Sequence, residues 1–260
     1  MAGSERSRGS PDILTITLQS NRLICEPRED LLANLESRSR EFSHPIRWQW
    51  KHADHSTRCC VIALHGMGQN GSSILKRLEH LASRGADIVV PDGPHLHEVR
   101  GRDGTREGHS WYIYTGDQPR FRESLIQSES DLLGIVDTVQ RESGISSDKI
   151  VLLGFSQGGY LAGFVSCRHR NRFGNCVIAS ARLKHEFLGD EISSGDLPTI
   201  LFLHDDQDPL TGPEPVKESI QKLKQADADV EVSWHSDGHR LGDQSISALQ
   251  RWLEQHGLIE

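Results

Sequence analysis

The stretch "LLGFSQGGYLAG" (152–163) runs an apolar segment into a Ser with a glycine two residues to either side, and then into helix-forming residues. Glycines at 154 and 158 would let a neighbouring strand and helix approach a turn sharp enough to push Ser156 Oγ into a cleft. An ordinary turn with Ser156 as a helix N-cap explains the same letters. Matches to G-x-S-x-G also arise by chance, so the surrounding chain has to decide.

Outward from this point the pattern is regular. "KIVLLGF" (149–155) is a continuous apolar strand, and "QGGYLAGFVSCRH" (157–169) is a helix. Upstream, "CCVIALHG" (59–66) reads as a strand buried on both faces, "SSILKRLEHLASRG" (72–85) as an amphipathic helix C-capped by Gly85, and "ADIVVPDGP" (86–94) as a second buried strand. The helix at 120–144 puts Leu125, Leu132, Val136 and Val139 on one face. Downstream come strands at 176–180, 199–205 and 229–235 and helices at 213–226 and 243–257. Alternating strands and helices predict an α/β fold, with a mostly parallel central sheet of about eight strands and helices on both faces.

The N-terminal part differs. Residues 1–11 read as a disordered tail. "ILTITL" (13–18) and "IRWQWKH" (46–52) alternate like edge strands, and "EDLLANLESRSREF" (29–42) has helical spacing. The expected organisation is one domain over 12–260, with an extension at 12–58 and a catalytic core at 59–257. The segment 92–120 is the longest irregular stretch and is expected to rim the ligand crevice.

Composition narrows the function classes. The 260 residues carry a formal net charge of -8, which offers no basic field for nucleic acid. "RHRNR" (168–172) reads as a solvated helix end. Five cysteines, an odd number without C-x-x-C, suit small buried hydrophobes in a reducing, cytoplasmic setting better than a disulfide framework. No signal peptide and no membrane-length apolar run is expected. His95, His97, His109 and Asp92 match no metal-site spacing, so neither metal nor cofactor is expected. The expected state is monomer or homodimer.

In an open parallel sheet, ligands bind beyond the carboxyl ends of the strands. There the chain places His65-Gly66-Met67-Gly68, then Ser156, then Asp205, Asp206 and Asp208, then Asp237 and His239. A serine hydroxyl needs a base, an imidazole is a base near neutrality, and a carboxylate fixes that imidazole's tautomer. The helix after Ser156 aims its first N–H, that of Gln157, at developing negative charge, and the glycine-rich loop can turn the Met67 N–H to the same spot. Any of the three aspartates could serve as the acid, and His235 is an alternative to His239. His65 reads as structural.

"LHGMGQNG", "GFSQGG", "DQDP" and "DGH" together resemble the phospholipase/carboxylesterase family of α/β-hydrolases, which includes acyl-protein thioesterases, over roughly residues 59–257. The resemblance implies Ser156 as nucleophile, Asp208 as orienting acid, His239 as base and Met67 and Gln157 as oxyanion donors. It also suggests Trp111 as a pocket wall rather than core, with Gly66 and Gly68 against substrate. The chain departs from the family pattern at Gln69, Asp205 and Tyr112-Ile113. The implied activity is cofactor-free hydrolysis of a small-molecule, lipid or acyl ester or thioester. A ligand-binding member without catalysis and an acyltransferase are the alternatives.

Overall fold

A computed structural model describes residues 14–19, 22–27, 45–101 and 104–260. The chain divides into two compact units, Met1–Ser43 and His44–Glu260. In the first, β1 (Leu14–Gln19) pairs antiparallel with β2 (Arg22–Pro27). The expected tail at 1–11 and helix at 29–42 lie outside the described residues.

The second unit is built on one sheet. Its strands are β3 (Trp48–Lys51), β4 (Cys59–Leu64), β5 (Ala86–Pro91), β8 (Ile150–Phe155), β9 (Asn175–Ala179), β10 (Thr199–Asp205) and β11 (Val230–His235). Their order across the sheet is β11-β10-β9-β8-β4-β5-β3. All neighbours are parallel except β3, which closes the edge antiparallel to β5. Seven strands rather than about eight form this sheet among the described residues, because Leu14–Gln19 pairs with its near sequence neighbour instead.

Helices cover both faces. Alternate strand residues feed two separate cores, as a period of two requires. Ile62, Leu152, Ile178 and Phe202 pack with α2 (Gln118–Ser143), α3 (Gln157–Arg168) and α4 (Pro213–Gln225). Val61, Leu153, Val177 and Leu203 pack with α1 (Gly71–Leu78) and α5 (Asp243–Gln255). The predicted helix at 72–85 divides into α1 and a tighter turn over Glu79–Arg84, and Gly85 ends it with φ of 91°. Cys59, Cys60, Cys167 and Cys176 are free and buried, and burial pushes the Cys59 thiol up to about 12.

Edge strand β3 is held by one buried carboxylate. Asp87 accepts from Trp50 Nε1 at 2.8 Å, Ala53 N at 2.9 Å and Thr57 Oγ1 at 2.9 Å. Burial alone would raise its pKa, yet these bonds hold it below the ordinary carboxylate range.

Two expectations need correcting. Much of the stretch 92–120 is a hairpin, β6 (His95–Gly101) with β7 (Gly104–Ser110). Its residues are polar on both faces and mostly exposed, so no hydrophobic alternation marks it. The "RHRNR" run is not simply a solvated helix end. Arg168 Nε and His169 Nε2 both lie 2.8 Å from an oxygen of Glu129, which is buried.

Candidate active site

The carboxyl ends of six parallel strands share one edge, and every sequence-predicted polar group arrives there. At its centre β8 turns into α3 through Ser156, whose φ of 52° and ψ of -116° are a costly conformation for a residue with a side chain. The two glycines explain how the turn closes. A Cβ on Gly154 would sit 2.1 Å from Gly158 O, and one on Gly158 would sit 2.4 Å from Leu64 O. The turn is tied down by the Ser156 N–H, which donates to Ala179 O at 2.8 Å. Ser156 has no side-chain capping bond to α3, so the N-cap alternative fails.

Its hydroxyl is directed elsewhere. Ser156 Oγ lies 2.8 Å from His239 Nε2, and His239 Nδ1 lies 2.7 Å from Asp208 Oδ2. Asp208 is buried, and its Oδ1 accepts the N–H groups of Leu210 at 2.8 Å and Thr211 at 3.1 Å. Burial pushes its pKa up, but the Leu210, His239 and Thr211 hydrogen bonds outweigh this and keep the carboxyl below its ordinary range. An ionised acid beside Nδ1 favours the Nδ1–H tautomer and leaves Nε2 to accept a proton.

The rival residues have other partners. Asp205 Oδ2 accepts the Gly238 N–H at 2.5 Å and its Oδ1 accepts the Gln207 N–H at 2.7 Å. It thereby ties the loop of Asp208 to that of His239. Asp206 is exposed. His235 lies 3.2 Å from Ser245 Oγ and accepts the Asp237 N–H at 3.2 Å.

His65 is fully buried and structural. Its Nε2 accepts the Gly93 N–H at 2.9 Å, which requires Nδ1–H, and that atom lies 2.8 Å from Gly66 O. Burial pulls its pKa down to about 4. The Met67 loop is folded by Gln69, whose side chain accepts the Gly66 N–H at 3.0 Å. It is clamped by the hairpin: Gly68 N–H donates to His109 O at 2.8 Å, and Arg106 Nη1 donates to Gly68 O at 2.6 Å. Among the described residues, Met67 N–H and Gln157 N–H have no acceptor.

Trp111 is not a pocket wall. It is 2% exposed, its Nε1 donates to His65 O at 2.9 Å, and its N–H donates to Gln157 Oε1 at 2.8 Å. It therefore positions the two loops from below. Gly66 lines the crevice, whereas Gly68, with φ of 73°, packs beneath Val99.

Two cavities meet at Ser156. The larger, about 920 Å³, is bounded by Met67, Phe155 and the 236–244 loop. The smaller, about 400 Å³, runs between Tyr112, Tyr114, Phe121 and Tyr160 towards Arg182 and Lys184. Sequence reasoning missed the hairpin clamp and this second cavity. Arg182 and Lys184 follow β9, next to β8, so the strand-end rule could have found them once the strand order was known.

Among the described residues no cluster of three or more His, Cys, Asp or Glu suits a metal ion, and no helix is long and apolar enough to cross a membrane. The phospholipase/carboxylesterase family model matches residues 51–257. "Acyl-protein thioesterase 1 homolog 2" of Dictyostelium discoideum is 27% identical over 150 residues, 55% of this chain and 67% of the relative. "Lysophospholipase-like protein 1" of Mus musculus is 25% identical over 225 residues, 77% of this chain and 92% of the relative. The Bacillus cereus carboxylesterase structure superposes with a TM-score of 0.66 at 18% identity, covering 81% of this chain and 94% of its own, which shows the shared α/β-hydrolase fold. The chain belongs to the phospholipase/carboxylesterase family and is, by class, a carboxylic ester hydrolase.

Proposed function

We propose that the protein hydrolyses carboxylic esters or thioesters through an acyl-enzyme on Ser156. The observation that carries this reading is the unbroken chain Ser156 Oγ–His239 Nε2–Asp208 Oδ2, with spacings of 2.8 and 2.7 Å, rooted in a strained turn. His239 takes the Oγ proton as the Oγ–carbon bond forms, and Met67 N–H and Gln157 N–H hold the oxyanion. Collapse breaks the bond from carbon to the leaving oxygen or sulfur, and that group leaves with the proton from His239. Water then attacks the acyl-enzyme, giving its proton to His239. The acid departs and Ser156 regains its hydrogen.

The leaving atom has to lie beside His239 Nε2 to be protonated. His239 borders both cavities, and we assign the acyl group to the smaller one, lined by the aromatic rings of Tyr112, Phe121 and Tyr160, and the leaving group to the larger one along the 236–244 loop. A cytoplasmic setting is part of the proposal and is supported by the free buried thiols.

The test is hydrolysis of p-nitrophenyl esters from acetyl to palmitoyl by the protein and by Ser156→Ala. The expected result is turnover that the substitution cuts by at least about 10³-fold, with unchanged folding. Substitution-insensitive hydrolysis would overturn the assignment. New esters formed on adding acceptor alcohols would mark an acyltransferase.

A further inference from the structure

The smaller cavity ends in an uneven set of charges. Arg182 grips Glu186 with both arms of its fork, Nη1 at 2.9 Å and Nη2 at 2.7 Å. Lys184 Nζ, on a residue only 6% exposed, reaches the same carboxylate at 3.3 Å and Gln118 Oε1 at 2.9 Å. Two cations therefore share one anion. The Arg182 and Lys184 contacts outweigh burial and pull the Glu186 carboxyl down to about 2, so it is ionised. The three groups sum to one positive charge.

Lys184 also has bonding capacity left over. An ammonium has three N–H donors, and its hydrogen bonds among the described residues use two of them. Its other neighbours are the rings of Phe187, centred 4.9 Å from Nζ, and Phe121 at 5.7 Å, which cannot accept a full hydrogen bond. No acidic side chain lines this cavity, and the other charged group on its wall is Arg182. A largely aromatic cavity whose wall carries both the reacting serine and the Lys184 ammonium is unsuited to a plain fatty chain, whose methyl end would meet a charge. About 400 Å³ lies at the small end of the roughly 300–1,000 Å³ of ligand sites, so the group it takes is short.

We propose that the favoured acyl group is a short dicarboxylate linked through one end, with its free carboxylate held by Lys184 in the cavity that begins at Ser156. This rests on the reading of Ser156 as the nucleophile. The methylenes would lie against Tyr112, Tyr160 and Phe121, and the free carboxylate would take the third Lys184 donor. Arg182 acts indirectly: it occupies Glu186, so that Glu186 does not cancel Lys184.

The experiment compares kcat/KM for the mono-p-nitrophenyl ester of adipic acid with that for p-nitrophenyl hexanoate. The two acyl chains have equal carbon counts and differ in a terminal carboxylate against a methyl. The expected adipate-to-hexanoate ratio is about tenfold or more, falling to one or below in Lys184→Met. A ratio below one in the unsubstituted protein, or one that Lys184→Met leaves unchanged, overturns the proposal. Should Lys184→Met fail to fold, inhibition of the unsubstituted protein by free adipate against hexanoate decides: stronger inhibition by adipate supports it and equal inhibition overturns it. If neither ester is hydrolysed, the catalytic reading fails first. Calorimetric binding of adipate against hexanoate then judges the subsite alone, with preferential adipate binding supporting it and equal binding overturning it.

Discussion

The turn at Ser156 lines the crevice and the hairpin at 95–110 backs the Met67 loop that borders it, yet the two are built in opposite ways. The turn is crowded from every side: added Cβ atoms at Gly154 and Gly158 collide with backbone at 2.1 and 2.4 Å. The hairpin is mostly exposed, and a Cβ at Gly104 would meet nothing within 4 Å. It meets the crevice loop through a few bonds from Arg106 and His109. A strained conformation persists only where its surroundings over-determine it. The turn can therefore hold a reacting group in place, whereas the hairpin can at most steady a neighbour.

The largest effect should come from breaking the chain behind the serine. Asp208→Asn keeps the shape but permits the wrong imidazole tautomer, and kcat should fall about 10⁴-fold. Steady-state kinetics with a matched thermal melt checks this, and a loss under tenfold would weaken the assignment. Gly158→Ala comes next, because its methyl has to displace the Leu64 carbonyl. It should cost several kcal/mol of stability or abolish folding, read by urea unfolding. Unchanged stability in Gly158→Ala would show that the turn is less constrained than its geometry says.

Smaller effects belong to the hairpin. Arg106→Ala frees the Gly68 carbonyl and loosens the Met67 loop. We expect kcat to fall about tenfold with KM little changed, a part of the roughly 10²–10³ that a whole oxyanion donor supplies. Glu98→Ala at the exposed ion pair with Arg100 should change stability by less than about 0.5 kcal/mol.

The pH response supplies a prediction of intermediate size, carried by His65, whose buried ring bonds Gly66 and Gly93. Its folded value of about 4 lies below its ordinary 6.5. Between these values the unfolded chain takes up a proton that the folded one refuses. The stability is present above 6.5 and is lost as pH falls towards 4, by about 3 kcal/mol in all. Urea unfolding at pH 7 and pH 4.5 checks it, and His65→Gln should lose less over the same window.

The parts legible in the sequence were those whose constraint is local. Apolar runs such as 59–64 and 150–155 announce buried strands, and Gly154 and Gly158 announce the turn that Ser156 occupies. His239 and Asp208 were legible through strand-end placement together with the family resemblance. The hairpin was not, because its strands carry charged residues on both sides and bury little. Trp111 was assigned to the pocket because a letter does not say which side of a loop its ring takes. Here it points inward to the His65 carbonyl. Lys184 and Arg182 escaped notice because their meaning depends on β9 lying next to β8, a matter of strand order rather than of local pattern.

The most direct test of the central claim is to mix the protein with a p-nitrophenyl ester, quench in acid within one turnover and map the added mass by peptide mass spectrometry. The account predicts one acyl group on the peptide containing Ser156, appearing with a burst of p-nitrophenol and absent from Ser156→Ala. An acyl group on another residue, or turnover that survives Ser156→Ala, would contradict it.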